Sequence, residues 1–133
     1  MITARQGKEV VVKVTNDIGI LHDISKIVAE RGVNILAVHG SVAGDKGIVR
    51  LITDDNLRAC DALKAHNYAP QEADVVLIDS PNKPGMLRSI TEKLARESID
   101  VHHLYASGGL DDADSLVVLA SASNDHAVVA LND

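Results

Sequence analysis

The chain has 133 residues, 46% of them hydrophobic and 24% charged, with a formal net charge of -6. That places it among folded globular proteins and leaves room for one medium domain or two small ones. With 19 acidic residues against 13 Lys and Arg, and Tyr68 and Tyr105 as its only aromatic rings of the Phe, Trp and Tyr kinds, it lacks the clustered cations and stacking platforms of nucleic-acid binding and the cations an anionic membrane attracts.

The N-terminal "MITARQGKEV" has no apolar core fit for a signal peptide, and no apolar run approaches a membrane span, so we expect a cytoplasmic protein. Glu9 to Val14 reads as a strand with Val10, Val12 and Val14 on one face. A loop with Gly19 leads into a helix whose apolar stripe is Leu21, Ile24, Ile27 and Val28. "VNILAVHGSVAG" is a second strand, "GDKG" a turn and "IVRLIT" a third strand. "DDNLRACDALKAHN" is a second helix opened by a capping Asp at 54 or 55. Cys60 lies in it as the sole cysteine, which excludes an intrachain disulfide and a CxxC pattern and suits a buried thiol.

After a fourth strand, "YAPQEA", the series begins again. Val75 to Asp79 is an apolar strand, "SPNKPGML" a loop, and Leu87, Ile90 and Leu94 the stripe of a third helix. "IDVHHLYASGG" and "SLVVLA" are strands joined by "GLDDAD", a polar hairpin holding Asp111, Asp112 and Asp114. "SNDHAVVALND" is a shorter last helix. A shift of 66 residues lays "TNDIGILHDISKIVAERGVNI" over "PNKPGMLRSITEKLARESIDV", matching Asn16 to Asn82, Gly19 to Gly85, Leu21 to Leu87, Ile24 to Ile90 and Ser41 to Ser107. A shift of 68 lays "IVRLITDDNLRA" over "LVVLASASNDHA", matching Val49 to Val117 and Leu51 to Leu119. Glycine, apolar positions and element order agree together, which marks an internal duplication.

Each copy reads β-α-β-β-α-β, the ferredoxin-like arrangement of an α+β protein. The expected modules are residues 1–73 and 74–133. The second stops where its fourth strand should begin, yet Ile2 to Gln6 lies over Tyr68 to Glu72 at the same shift. We therefore expect residues 2–6 to supply that strand, in one chain or through a swapped dimer; otherwise a bare edge would flank an apolar strand.

The glycine loops are the candidate site. Pro81 ends a strand, Pro84 precedes a helix where its missing N–H costs nothing, and Gly85, like Gly19, has no Cβ between its backbone and a ligand. Loop N–H groups and the helix dipole then converge on one point, fit for a carboxylate. A strand-to-helix turn with close packing explains one such loop equally well; two at equivalent places favour a ligand.

"NDIGILHDISKIVAERGVNI" and "PNKPGMLRSITEKLARESIDV" resemble the D/N-x-P-G-x-L loop, helix and G-[IV]-[ND]-[IV] strand entry of ACT domains, small regulatory modules that commonly sense amino acids. The resemblance covers nearly the whole chain and implies a tandem pair. It also implies pairing of the two second strands into a continuous eight-stranded antiparallel sheet with helices on one face. The ligand residues it implies are Asn16, Asp17, Ile18, Gly19, Ile20 and Leu21 in the first loop, and Asn82, Lys83, Pro84, Gly85, Met86 and Leu87 in the second. Strand entries Asn34 with Ile35 and Asp100 with Val101 would complete them from the other module. A pocket of Asn82, Lys83 and Gly85 with Asn34 offers a cation to the ligand carboxylate. A pocket of Asp17 and Gly19 with Asp100 sets two acids near it, so the Lys83 pocket should bind more tightly. This chain departs from the family pattern at Ile18, where proline is usual, and at Ser98, where the first copy has Gly32.

Both "SLVVLA" and, but for Arg50, "IVRLIT" are apolar on both faces. A sheet covered on one side should alternate, so a second chain is expected on the other and a homodimer with it. No metal is expected: His102 and His103 are adjacent and would point to opposite faces of a strand, His39 across the sheet is a remote third ligand, and His22 and His66 read as solvated. Ser25, Thr91 and Ser107 lack a triad context and phosphate-binding fingerprints are absent, so we expect no catalysis and no cofactor. Two function classes remain. One is an amino-acid sensor that signals by associating with a metabolic enzyme or regulator; the other is a ligand-free interaction module. A metabolic enzyme on the same scaffold is a distant third.

Overall fold

The computed structural model describes residues 2–108 and 114–133. It is an α+β fold in which six antiparallel strands form one sheet in the order β2-β3-β1-β4-β6-β5, with four helices. In chain order the elements are β1 (Thr3–Thr15), α1 (Ile20–Glu30), β2 (Ile35–Ala43), β3 (Lys46–Thr53), α2 (Asn56–Ala65), β4 (Pro70–Pro81), α3 (Met86–Arg96), β5 (Val101–Ser107), β6 (Asp114–Ser121) and α4 (Asn124–Asn132).

The eight-stranded expectation is corrected to six. "TARQ" and "EVVVKV" run on as the single 13-residue β1, and "PQEA" and "VVLID" as the single 12-residue β4. Nothing in either stretch forces the backbone to turn: Gly7 stays in the strand, and Pro70 stands at the first position of β4, where its missing donor costs no ladder bond. The second strands do not pair with one another; β2 pairs with β3 and β5 with β6, and the two stand at opposite ends of the strand order.

The chain divides into two compact units, Glu9–Ala73 and Met1–Lys8 with Asp74–Asp133. In the first, β1 runs antiparallel to β3 with Val10 opposite Leu51 and Val12 opposite Val49. These four residues face α1 and α2 and close a core with Ile24, Ile27, Val28, Cys60 and Leu63. In the second, Val76 stands opposite Leu119 and Ile78 opposite Val117, and they close a core with Ile90, Leu94, Ala127, Leu131 and Ala4. Alternation at a period of two supplies the sheet face and a period near 3.6 the helix stripe, which is why each core is a sheet face under two helices.

The hairpin residues Asp111 and Asp112 lie outside the described residues. Asp114 begins β6. At the α2 start the capping oxygen belongs to Asp55, whose side chain accepts from Arg58 N at 3.1 Å. Asp54 instead accepts from Asn34 N at 2.9 Å.

One further expectation changes. Leu21 and Leu87 are not part of the buried stripes; they are 46% and 56% exposed, in the first turn of their helix, where each lines an open cleft. On the opposite faces of the third strands Val118, Ala120 and Ile52 are buried, whereas Ile48, Arg50 and Leu116 are half-buried.

Candidate functional site

In both units the first strand passes to the first helix through the same turn. Ile20 N donates to Asp17 O at 3.2 Å, and Met86 N to Lys83 O at 3.3 Å. Gly19 has φ 84 and ψ 4, and Gly85 has φ 90 and ψ -4. A bond from the fourth residue to the first, around a glycine in that conformation, defines a type II turn with Ile18 and Pro84 at its second position. The proline ring pre-sets the φ that this position requires. Ile18 holds the equivalent place without a ring, with its side chain fully exposed.

A Cβ added at Gly19 or Gly85 would meet nothing within 4 Å, so the left-handed φ, not crowding, selects glycine. The space in front of each glycine is open. No side chain caps α1 or α3, and the first-turn N–H groups of a helix have no intrahelical partner.

Beside each turn lies a cleft between the helix start and the sheet. In the Asp74–Asp133 unit it has a volume of about 230 Å³ and is lined by Ser80, Pro81, Asn82, Lys83, Met86, Leu87, Ile90, Leu104, Ala106, Ser115 and Val117. In the Glu9–Ala73 unit it measures about 220 Å³ and is lined by Val14, Asn16, Ile20, Leu21, Gly40, Ser41, Val42, Gly47 and Val49. Both are apolar hollows with a polar rim, the composition expected of small-molecule sites. Asn16 and Asn82, Ile20 and Met86, Leu21 and Leu87, and Val49 and Val117 occupy corresponding places.

The residues singled out from sequence therefore separate. Asn16, Ile20 and Leu21 line one cleft, and Asn82, Lys83, Met86 and Leu87 the other. Asp17, Ile18, Gly19, Pro84 and Gly85 form the turns alongside. Asn34 and Ile35 line a separate hollow with His22, Ser25, Lys26, Ala29 and Val33. Asp100 and Val101 stand at the entry to β5, where Ala122 N donates to Asp100 O at 2.9 Å. The sheet residues Val14, Gly40, Ser41, Val42 and Gly47, with Ser80, Leu104, Ala106 and Ser115, escaped the sequence reading. Their signal was present in the match of Ser41 to Ser107 and Val49 to Val117, which tied the strand segments around the clefts together.

The rims differ in charge. Lys83 edges its cleft, whereas the corresponding turn carries Asp17. In the Glu9–Ala73 unit the Tyr68 hydroxyl donates to Asp23 Oδ2 at 2.7 Å. Burial, then the Asp23 acceptor and its charge, then Asp17, push the Tyr68 pKa up to about 12. Cys60 is buried, and burial raises its pKa, with Glu72 the next cause.

Among the described residues no group of three His, Cys, Asp or Glu could hold a metal ion. β5 shifts register between Val101 and His103. The His102 ring approaches Asp100 at 3.9 Å and His103 stacks on Tyr105 with centroids 6.2 Å apart. No helix is long and apolar enough to cross a membrane among the described residues.

A family model described as an ACT domain pair matches residues 5–132. A search among curated proteins finds no match. Among solved structures, protein BT0572 from Bacteroides thetaiotaomicron is similar at 27% identity and a TM-score of 0.87, over 97% of this chain and 88% of that one. The regulatory subunit of aspartate kinase from Thermus thermophilus, in its ligand-free form, is similar at 11% identity and a TM-score of 0.68, over 98% and 94%. Aspartokinase alpha and beta subunits are similar at 15% identity and a TM-score of 0.65, over 98% and 94%. The last two share the fold.

Proposed function

The chain belongs to the ACT domain pair family, and from that premise we propose that it is a regulatory protein that binds a free amino acid beside its glycine turns and signals through association with another protein. One observation carries this reading: the same cleft, of nearly the same volume, recurs beside the same type II turn in both units. A turn needed only for packing has no reason to keep an open hollow in both copies. The ligand carboxylate would meet the first-turn N–H groups, and its side chain the apolar floor. Lys83 favours that carboxylate in the Asp74–Asp133 unit, whereas Asp17 opposes it in the other, so the Lys83 cleft binds more tightly. Asn34, Ile35, Asp100 and Val101 enter this reading as residues by which one module would close over the ligand of another.

A kinase regulatory subunit among the structural relatives makes a metabolic enzyme the natural class of partner. The alternative, an interaction module without a ligand, draws on the exposed Leu36, Val38 and Val42 of the end strand β2.

Thermal unfolding in the presence of each common amino acid at millimolar concentration tests the proposal. Binding to the folded state stabilises by about 2.7 kcal/mol at a hundredfold excess over the dissociation constant. One or two amino acids should raise the melting temperature, and Ala106→Leu, which fills the Lys83 cleft, should remove that cleft's share. A flat response to all of them would leave the interaction module as the better reading.

A further inference from the structure

The two clefts match in place and volume but not in one wall. Ser80 of β4 stands directly opposite Ser115 of β6, and Val14 of β1 directly opposite Gly47 of β3. Each pair lines its own cleft. Val14 and Ser80 are separated by the 66-residue offset of the repeat and Gly47 and Ser115 by its 68-residue offset, so the pairs are counterparts.

Side chains on directly opposed residues of an antiparallel pair lie about 5 Å apart on one face. The serine pair therefore presents two hydroxyls together, each able to donate and to accept. The Val14–Gly47 pair presents only carbon: a Cβ on Gly47 would lie 3.2 Å from Val14 Cγ2, so the valine methyl occupies the space over the glycine. Elsewhere Met86 and Val117 in one cleft correspond to Ile20 and Val49 in the other, and Ser41 adds one hydroxyl to the Val14–Gly47 cleft against the serine pair of its counterpart. Volumes of about 230 and 220 Å³ cannot sort ligands by size. Polarity can. A hydroxyl-lined wall is left with unmet hydrogen bonds by an aliphatic side chain, whereas a carbon wall desolvates a polar one without return.

We infer that the two clefts take amino acids of different side-chain class. The Ser80–Ser115 cleft takes one whose short side chain carries a hydrogen-bonding group, and the Val14–Gly47 cleft takes an aliphatic one. This rests on the amino-acid reading given above and adds that one chain reads two signals.

Threonine and valine have the same shape and differ by a hydroxyl for a methyl, and asparagine and leucine form a second matched pair. The full chain, labelled with nitrogen-15, is titrated with each of the four while the amide resonances of Gly85 and Gly19 report on the two clefts separately. Threonine or asparagine should move Gly85 at about tenfold lower concentration than its aliphatic partner, and the order should invert at Gly19. Ser80→Val with Ser115→Gly should invert the order at Gly85. Val14→Ser, an independent variant, should bring threonine to Gly19, so the idea stands or falls even if the double variant does not fold. Movement of both glycines with no preference, or a preference unchanged in a folded variant, overturns the inference and leaves the amino-acid reading in place. Silence of both glycines toward all four counts against the amino-acid reading itself, and the inference falls with it.

Discussion

The carboxamide of Asn132 holds the backbone of Ala4 from both sides, across 128 positions of sequence. Its Oδ1 accepts from Ala4 N at 2.7 Å and its Nδ2 donates to Ala4 O at 2.9 Å. Around this contact Ile2 and Ala4 pack into the core of the Asp74–Asp133 unit, Arg5 pairs with Asp79, and Lys8 reaches Asp74 at 2.6 Å. Residues 3–8 thus belong to the unit that starts 66 or more residues later.

Removing residues 1–6 should therefore unfold residues 74–133 before residues 9–73. Hydrogen exchange resolved by peptide would show protection lost in α3 and α4 and kept in α1 and α2. Asn132→Ala alone should cost about 1–3 kcal/mol in urea unfolding, since it leaves buried backbone groups short of a partner.

Ser98 occupies the place of Gly32 after the helix. Both residues have positive φ, 55 and 73, and both donate from N to the alanine three positions back, Ala95 and Ala29. A left-handed serine costs about 1 kcal/mol relative to glycine. Ser98→Gly should raise stability by about 0.5–1 kcal/mol in chemical denaturation, and Gly32→Ala should lower it by a similar amount.

Glu9 is 1% exposed and its Oε2 accepts from Arg50 Nη1 at 2.7 Å. Arg50→Leu should destabilise by about 3 kcal/mol, because it takes the paired cation from a buried carboxylate. Glu9→Leu with Arg50→Leu should recover much of that loss. Urea midpoints for the two single variants and the double one would measure the coupling.

Tyr68 is neutral when it donates to Asp23, so its raised pKa has a definite sign. The stabilisation is fully present below the ordinary tyrosine pKa near 10 and is lost as pH rises through the folded value of about 12. Stability of the native chain should fall over that window more steeply than that of Tyr68→Phe, measured by thermal unfolding at stepped pH.

Ile18 stands at the second position of a type II turn, where Pro84 stands in the other copy. Ile18→Pro should stabilise by about 0.4–1 kcal/mol by restricting the unfolded chain. It should also leave the Asn16–Ile20 cleft intact, as an unchanged Gly19 amide resonance would show.

Most of the fold is legible in the sequence because the repeat constrains it twice over. Val10, Val12, Ile24 and Val28 match residues 66 positions on in type and in burial. What is hidden is continuity: nothing in a strand-length apolar pattern says that β1 and β4 run on unbroken, since alternation has the same period on both sides of Gly7 and of Asp74. The turns are legible through glycine and proline, whose backbone limits are local. The cleft walls are not. Ser80, Ser115, Val14 and Gly47 come from strands far apart in sequence, and only their register across the ladder makes them neighbours. Leu21 and Leu87 mislead for a related reason, as helical periodicity does not tell a core position from one that lines an open cleft.

Because β1 serves two units, synthesis and folding run out of step. Residues 3–8 emerge before the rest of their unit and cannot complete their contacts until α4, with Asn132, has been made. Residues 9–73 can close around their own core meanwhile. The growing chain thus carries an unpaired strand segment ahead of the Glu9–Ala73 module for as long as residues 74–133 take to appear, and an unpaired strand is a template for pairing with another chain.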